Sequence, residues 1–197
     1  MFRENDPRRV SKSRDQRRYE MSDPQSSKGF VHVYTGDGKG KTSAALGLAL
    51  RASGHKMRTY IGQFMKGTHY GELDALQGNP YITIEEYGDV RCIRREEVTA
   101  EHVAQAREGL NKAKEAMLSS QYDIVVLDEV NIAIWFGLLT FEEVEAFLDE
   151  RPEHVEFILT GRRAPQEMIE RADLVTEMRE VKHYFHKGVK ARDGIER

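Results

Sequence analysis

Residues 29–53, "GFVHVYTGDGKGKTSAALGLALRAS", pass from an apolar, β-branched run through a turn holding three glycines and two lysines into a run rich in Ala and Leu. Strand, glycine turn and helix in that order make a phosphate site. The turn and the helix N-terminus aim several backbone N–H groups at one point, and the helix dipole adds positive potential there. Gly36, Gly38 and Gly40 keep side chains out of the cradle. Lys41 can neutralise phosphate oxygens, and the Thr42 hydroxyl can coordinate a magnesium ion bridging them. The pattern departs from G-x-x-x-x-G-K-[ST] at one position, Thr35, which stands where the first glycine would be.

Beyond this stretch, short β-branched or aromatic runs alternate with helical ones, the signature of strands joined by crossover helices. "MRTYIGQF" (57–64) and "YITIEEY" (81–87) read as strands. Over 99–119, Val103, Ala106, Leu110, Ala113 and Met117 recur at helical spacing behind a capping Thr99. "YDIVVLDE" (122–129) is the most apolar run, and its continuous hydrophobicity predicts a strand buried on both faces at the centre of a parallel sheet. Thr140 with Glu143 forms a capping box for another helix. "VEFILT" and "LVTEM" follow as strands, separated by a helix that Pro165 starts. The expected architecture is one doubly wound α/β domain over residues 29–197, with a mostly parallel central sheet and helices on both faces.

Residues 1–28 carry eight Lys/Arg against five Asp/Glu and almost no periodic apolar positions, so they read as a mobile basic arm. With 197 residues, 39% apolar and 32% charged side chains and a net charge of −3, one soluble domain is expected, without an obligate nucleic-acid partner. No apolar run is long enough for a bilayer, and the N-terminus lacks the apolar core of a signal peptide, so the expected location is the cytoplasm. A single cysteine, Cys92, cannot form an intrachain disulfide.

The acids Asp128 and Glu129 end the most apolar strand, and consecutive strand residues point to opposite sides, so at least one faces the crevice at the carboxyl edge of the sheet. Loop and acids together imply a magnesium–nucleotide site. They leave open which bond breaks: phosphoryl transfer and displacement at the sugar 5′ carbon can use the same cradle.

"YTGDGKGKTSAALGLALRASGH", "GQFMKGTHYGE", "DIVVLDEVNIA", "RPEHVEFILTGR", "ADLVTEM" and "VKHYFHKGVKARDGIE", in that order over residues 29–196, closely resemble the P-loop ATP:corrinoid (cob(I)alamin) adenosyltransferases of cobalamin synthesis and salvage. The resemblance implies a P-loop NTPase-like, RecA-like fold and attack of a Co(I) corrinoid on the 5′ carbon of ATP, with triphosphate as leaving group. It implies that Gly36, Asp37, Gly38, Lys39, Gly40, Lys41, Thr42 and Ser43 wrap the triphosphate, and that Lys41, Thr42 and Glu129 carry the chemistry. Thr42 and Glu129 are then the magnesium contacts, with Asp128 behind them. Also implied are a homodimer, a reductase or flavodoxin-type electron donor, and an arm that folds over a neighbouring subunit's site. Some relatives carry a Phe and a Trp where this chain has "YGDVRCIRR" (87–95); Asp89 and Arg91 fall near those positions, so a device displacing the lower cobalt ligand is absent, moved to Tyr87, Val90 or Ile93, or provided elsewhere. A conventional P-loop kinase or NTPase, and a nucleotide-dependent corrinoid carrier, are the rival readings.

Other candidates are Lys66, His69, Tyr70 and Glu72 after the second strand, and Arg162 and Arg163 after "FILTG". Trp135 and Phe136 are core, subunit contact or corrinoid face. The spacing of His183 and His186 permits metal ligation, without an evident third ligand.

Overall fold

The computed structural model describes residues 28–67, 70–88 and 94–196. His69, Asp89, Val90, Arg91, Cys92, Ile93 and the arm up to residue 27 lie outside the described residues. Six strands, β1 (Val31–Thr35), β2 (Thr59–Phe64), β3 (Ile82–Tyr87), β4 (Ile124–Asp128), β5 (Glu156–Thr160) and β6 (Leu174–Glu177), form one sheet in the order β3-β2-β4-β5-β1-β6. Every pairing is parallel. Parallel neighbours need a crossover, and six helices serve: α1 (Lys41–Ser53), α2 (Gly71–Leu76), α3 (Ala100–Leu118), α4 (Val130–Phe136), α5 (Phe141–Asp149) and α6 (Gln166–Arg171).

All five residues of β4 are buried, as its unbroken apolar run predicts, and β2 and β5 flank it. On one face Phe64, Leu127, Phe157 and Leu159 pack with Ala106, Ala113 and Met117 of α3, Val130 and Ala133 of α4, Phe147 of α5 and Met168 of α6. On the other, Ala45, Ala49 and Ala52 of α1 lie against Ile61, Val126 and Ile158. Small side chains at i, i+4 and i+7 give α1 a flat apolar stripe against the sheet. Thr99 and Thr140 cap α3 and α5 with reciprocal side-chain bonds; the residue closing the first box is His102, and Glu143 closes the second. α2, with its Gly71 start and no buried residue, carries no periodic signal in the sequence. Pro165 sits at the N-cap of α6, where its fixed φ and missing N–H cost nothing. No helix among the described residues is long and apolar enough to cross a membrane.

The strand order matters most for the site. Because β5 lies between β1 and β4, the glycine-rich turn after β1 and the acids after β4 face each other across the carboxyl end of β5.

Candidate active site

The chain leaves β1 through Gly36, whose φ of 92° is open to glycine and strained for other residues. A second constraint comes from the segment after β6. A Cβ on Gly36 would lie 2.5 Å from the Met178 carbonyl oxygen and one on Gly38 2.7 Å from it, and the Gly38 N–H donates to that oxygen at 2.6 Å. The glycines therefore let the loop lie against the backbone at residue 178, besides keeping a cradle clear.

Lys41 opens α1 and is buried, with its ammonium donating to the Gly36 carbonyl at 2.8 Å and the Gly38 carbonyl at 2.7 Å. Burial pushes its pKa down, opposed by the nearby Glu129 carboxylate. Next to it, the Thr42 hydroxyl donates to Asp128 at 2.9 Å. Asp128 is almost wholly buried and collects three further donors: Thr160 Oγ1 at 2.6 Å, Gln63 Nε2 at 3.1 Å and Lys66 Nζ at 3.0 Å. Lys66 also reaches Glu72 at 3.3 Å and lies 5.0 Å from the centre of the Tyr70 ring. Burial alone would lower the Lys66 pKa, but Asp128 and Glu72 outweigh it and raise the value.

Glu129 has a different environment. Its backbone is left-handed at φ 61°, and its N–H donates to the Thr160 hydroxyl at 2.9 Å. Among the described residues none donates a hydrogen bond to its carboxylate. Burial first, then the neighbouring Asp128 charge, raises its pKa, against the pull of Lys66, Lys41 and Arg162. Met65 and Glu129, directly beyond β2 and β4, and Arg163, three residues beyond β5, all have positive φ. Strained backbone of this kind concentrates where side chains must be presented in a set direction.

These groups open on one cleft of about 760 Å³, lined by Gly38 to Ser43, Lys66, Tyr70, Glu72, Glu129 and Arg162, with His183 and Gly194 to Glu196 from the C-terminal segment. Lys39 donates to the Ile195 carbonyl at 2.7 Å, and Glu196 is held by Tyr184 and Arg192. A smaller bay of about 520 Å³ lies at the amino edge of the sheet, around His32, Arg51, His55 and His154, and holds none of the loop or acid residues.

The family model for "ATP:corrinoid adenosyltransferase BtuR/CobO/CobP" matches residues 27–197. This chain belongs to that family. A corrinoid adenosyltransferase of Escherichia coli strain K12 is 38% identical over 179 residues, 89% of each chain. The corrinoid adenosyltransferase CobA of Salmonella typhimurium is 37% identical over 191 residues, 95% of each chain, and a Sinorhizobium corrinoid adenosyltransferase is 35% identical over 198 residues.

In this family member the expected loop residues, Glu129, Lys66, Tyr70, Glu72 and Arg162 come together, with Gly36 and the exposed Asp37 at the loop's start and Asp128 beneath. The hydroxyl of Thr42 meets Asp128 rather than Glu129. His183 and His186 do not form a metal site: His186 pairs with Glu180 at 2.6 Å, His183 accepts from the Phe185 N–H, and among the described residues no group of three ligating side chains could hold a metal by itself. Phe136 packs against the main core, and Trp135 lies beside Arg95 and Arg163. Sequence reasoning missed Gln63, Thr160 and the C-terminal residues 194–196. A glutamine inside the fully buried run "TYIGQF" was the available signal for the first, since an amide in a core strand needs partners.

Glu129→Gln is expected to stabilise the fold at neutral pH by on the order of 1 kcal/mol, raising the midpoint by about 3 °C. The sign follows from the raised carboxyl pKa: the folded state disfavours the ionised form, so the penalty exists above the folded pKa and vanishes as pH falls through it. Thermal unfolding of both proteins checks this. A variant no more stable at pH 7, or a gap that widens in acid, contradicts it.

Proposed function

We propose that this chain transfers the 5′-deoxyadenosyl group of Mg-ATP to the cobalt of a reduced, Co(I) corrinoid and releases triphosphate. The observation that carries the reading is the convergence of Lys41, Thr42, Glu129 and Arg162 on one cleft at the carboxyl edge, in a chain of the corrinoid adenosyltransferase family. The Co(I) centre supplies the electron pair. As the Co–C5′ bond forms, the C5′–O bond breaks and its electron pair leaves with the triphosphate. Co(I) is itself a strong nucleophile, so the protein's work is positioning, exclusion of water and stabilisation of the departing charge.

The donor set suits magnesium, a hard cation that takes oxygen ligands and keeps part of its water shell. A hydroxyl on Thr42 and a Glu129 carboxylate that no described residue bonds are such ligands, and Asp128 orients the hydroxyl from below. When bound, the ion would offset charge on the triphosphate oxygens. Residues Gly36 to Ser43 wrap that chain of phosphates in this reading, with the ribose turned outward to the corrinoid. Lys41 exchanges its loop carbonyls for phosphate oxygens and follows the negative charge as it grows. Arg162 adds a second cation from the end of β5. The enzyme works in the cytoplasm as a homodimer and draws electrons from a reductase or flavodoxin-type donor.

Product analysis with ATP and a chemically reduced corrinoid tests the assignment. Triphosphate together with a light-sensitive cobalt–carbon bond is the expected result. ADP and phosphate, or a phosphorylated acceptor, would place the chain among kinases and NTPases; binding of both substrates without turnover would make it a carrier.

A further inference from the structure

Beside the cleft, the carboxyl edge carries a second cationic feature that the transfer chemistry does not use. The guanidinium carbon of Arg163 lies 4.7 Å from the centre of the half-buried Trp135 ring, and that of Arg95 lies 5.0 Å from it. The two like charges thus sit within about 10 Å of one another, inside a Debye length at moderate salt. Among the described residues neither forms an ion pair with a carboxylate. Other arginines of the chain do: Arg107 meets Glu143, Arg171 meets Asp149 and Arg192 meets Glu196.

The arrangement is built by the fold. Arg163 stands at φ 57° just past β5, and the preceding turn is tied to α4 through Asn131, whose amide donates to the Gly161 carbonyl at 3.4 Å. Trp135 is on that same short helix, and Arg95 comes from the turn that follows the segment after β3. Stacking over an indole occupies the flat face of a guanidinium and leaves its in-plane N–H donors for an acceptor. Two such groups on one ring suit a single anion with several oxygens, of which a phosphodiester is the matching chemistry.

None of the three residues lines the 760 Å³ cleft, but Arg162, the neighbour of Arg163, does. Adjacent Cα atoms are about 3.8 Å apart, so the site begins one residue from the cleft wall, within the width of a macrocycle seated at its mouth. We propose that Trp135, Arg95 and Arg163 recognise the phosphodiester of the nucleotide loop that complete corrinoids carry and truncated corrinoids lack. The inference rests on the adenosyl-transfer reading above and adds its substrate preference.

The test compares KM for cobalamin and for cobinamide, which lacks the phosphodiester loop, using a chemical reductant so that no protein donor is present. Wild type is expected to show a KM about tenfold lower for cobalamin, the scale of one or two charge-assisted contacts at a partly exposed site. Arg95→Gln/Arg163→Gln should bring the two KM values within about twofold of each other, and Arg163→Lys, which keeps charge but not the planar stack, should fall between. Added salt should narrow the wild-type difference. Equal KM values in wild type, or a ratio the double variant leaves unchanged, overturns the proposal; the latter is also the outcome if the patch docks an acidic electron-donor protein. Parallel losses with both corrinoids would mean a purely structural role and overturn it too. Failure of wild type to form a cobalt–carbon bond with either corrinoid would instead refute adenosyl transfer itself, which keeps the two failures apart.

Discussion

Lys41→Ala is expected to lower kcat/KM for adenosyl transfer by at least roughly thirtyfold, about 2 kcal/mol of transition-state stabilisation, the lower range for removing one oriented donor. The ammonium is buried at the head of α1, where two loop carbonyls hold it until phosphate oxygens replace them, so a short shift places it against the leaving triphosphate before charge develops. Two effects must be separated. Removing the side chain also leaves the Gly36 and Gly38 carbonyls without that donor, which costs about 1 kcal/mol of fold stability in the usual range for a hydrogen bond. Chemical denaturation reads this smaller loss independently of turnover. Steady-state kinetics should show the fall mainly in kcat, because the extra charge on the triphosphate exists only as the C5′–O bond breaks. A rate equal to wild type in a folded variant would remove Lys41 from the proposed chemistry.

Asp128→Asn is expected to destabilise the protein by about 3–5 kcal/mol, the range for breaking a buried ion pair by removing one partner. The carboxylate accepts from Thr42, Gln63, Lys66 and Thr160, which join α1, β2, the turn after β2, and β5. An asparagine has one acceptor oxygen for these four donors, and its amide group would face them. Worst affected is Lys66, left with Glu72 alone as a charged partner. The companion variant Lys66→Met distinguishes charge from packing. If the ion pair dominates, the double variant is more stable than Asp128→Asn by itself, and the double-mutant cycle gives a coupling of about 1–3 kcal/mol. Additive losses would show that Asp128 acts through the two hydroxyls and the amide instead. A pH signature accompanies it: the Lys66 pKa is raised in the folded state, so its stabilisation is complete below the ordinary lysine value and is lost as pH rises through the folded one. Lys66→Met should flatten that alkaline fall, measured by denaturation at increasing pH.

Both residues lie where local sequence patterns no longer decide the contacts. The acid pair at 128–129 was legible as the end of a buried strand, because an unbroken run of Ile, Val and Leu followed by two carboxylates has few other uses. Which acid does what was not. The left-handed turn at Glu129 rotates it away from strand geometry, so the alternation rule for consecutive residues no longer decides its direction. Its position after a strand puts Lys66 at the ligand edge; its pairing with Asp128 depends on β2 and β4 being neighbours, which no local pattern states.

Local chemistry alone determined a good deal: the glycine turn between β1 and α1, the caps at Thr99 and Thr140, the interior position of β4 and the alternation of strands and helices. Each is written within a few consecutive residues, since backbone conformation, capping and burial on both faces depend on near neighbours. The ordered motifs also carried the family resemblance. Tertiary structure decided the strand order, and with it the insertion of β5 that lets Thr160 bridge Asp128 and the Glu129 backbone. It likewise decided that Gly36 and Gly38 make room for the chain at Met178, that residues 194–196 wall the cleft, and that Arg95, Trp135 and Arg163 meet. These contacts join residues far apart in the chain, and they exist only because side-by-side packing of parallel strands brings the ends of separate crossovers to one edge of the sheet.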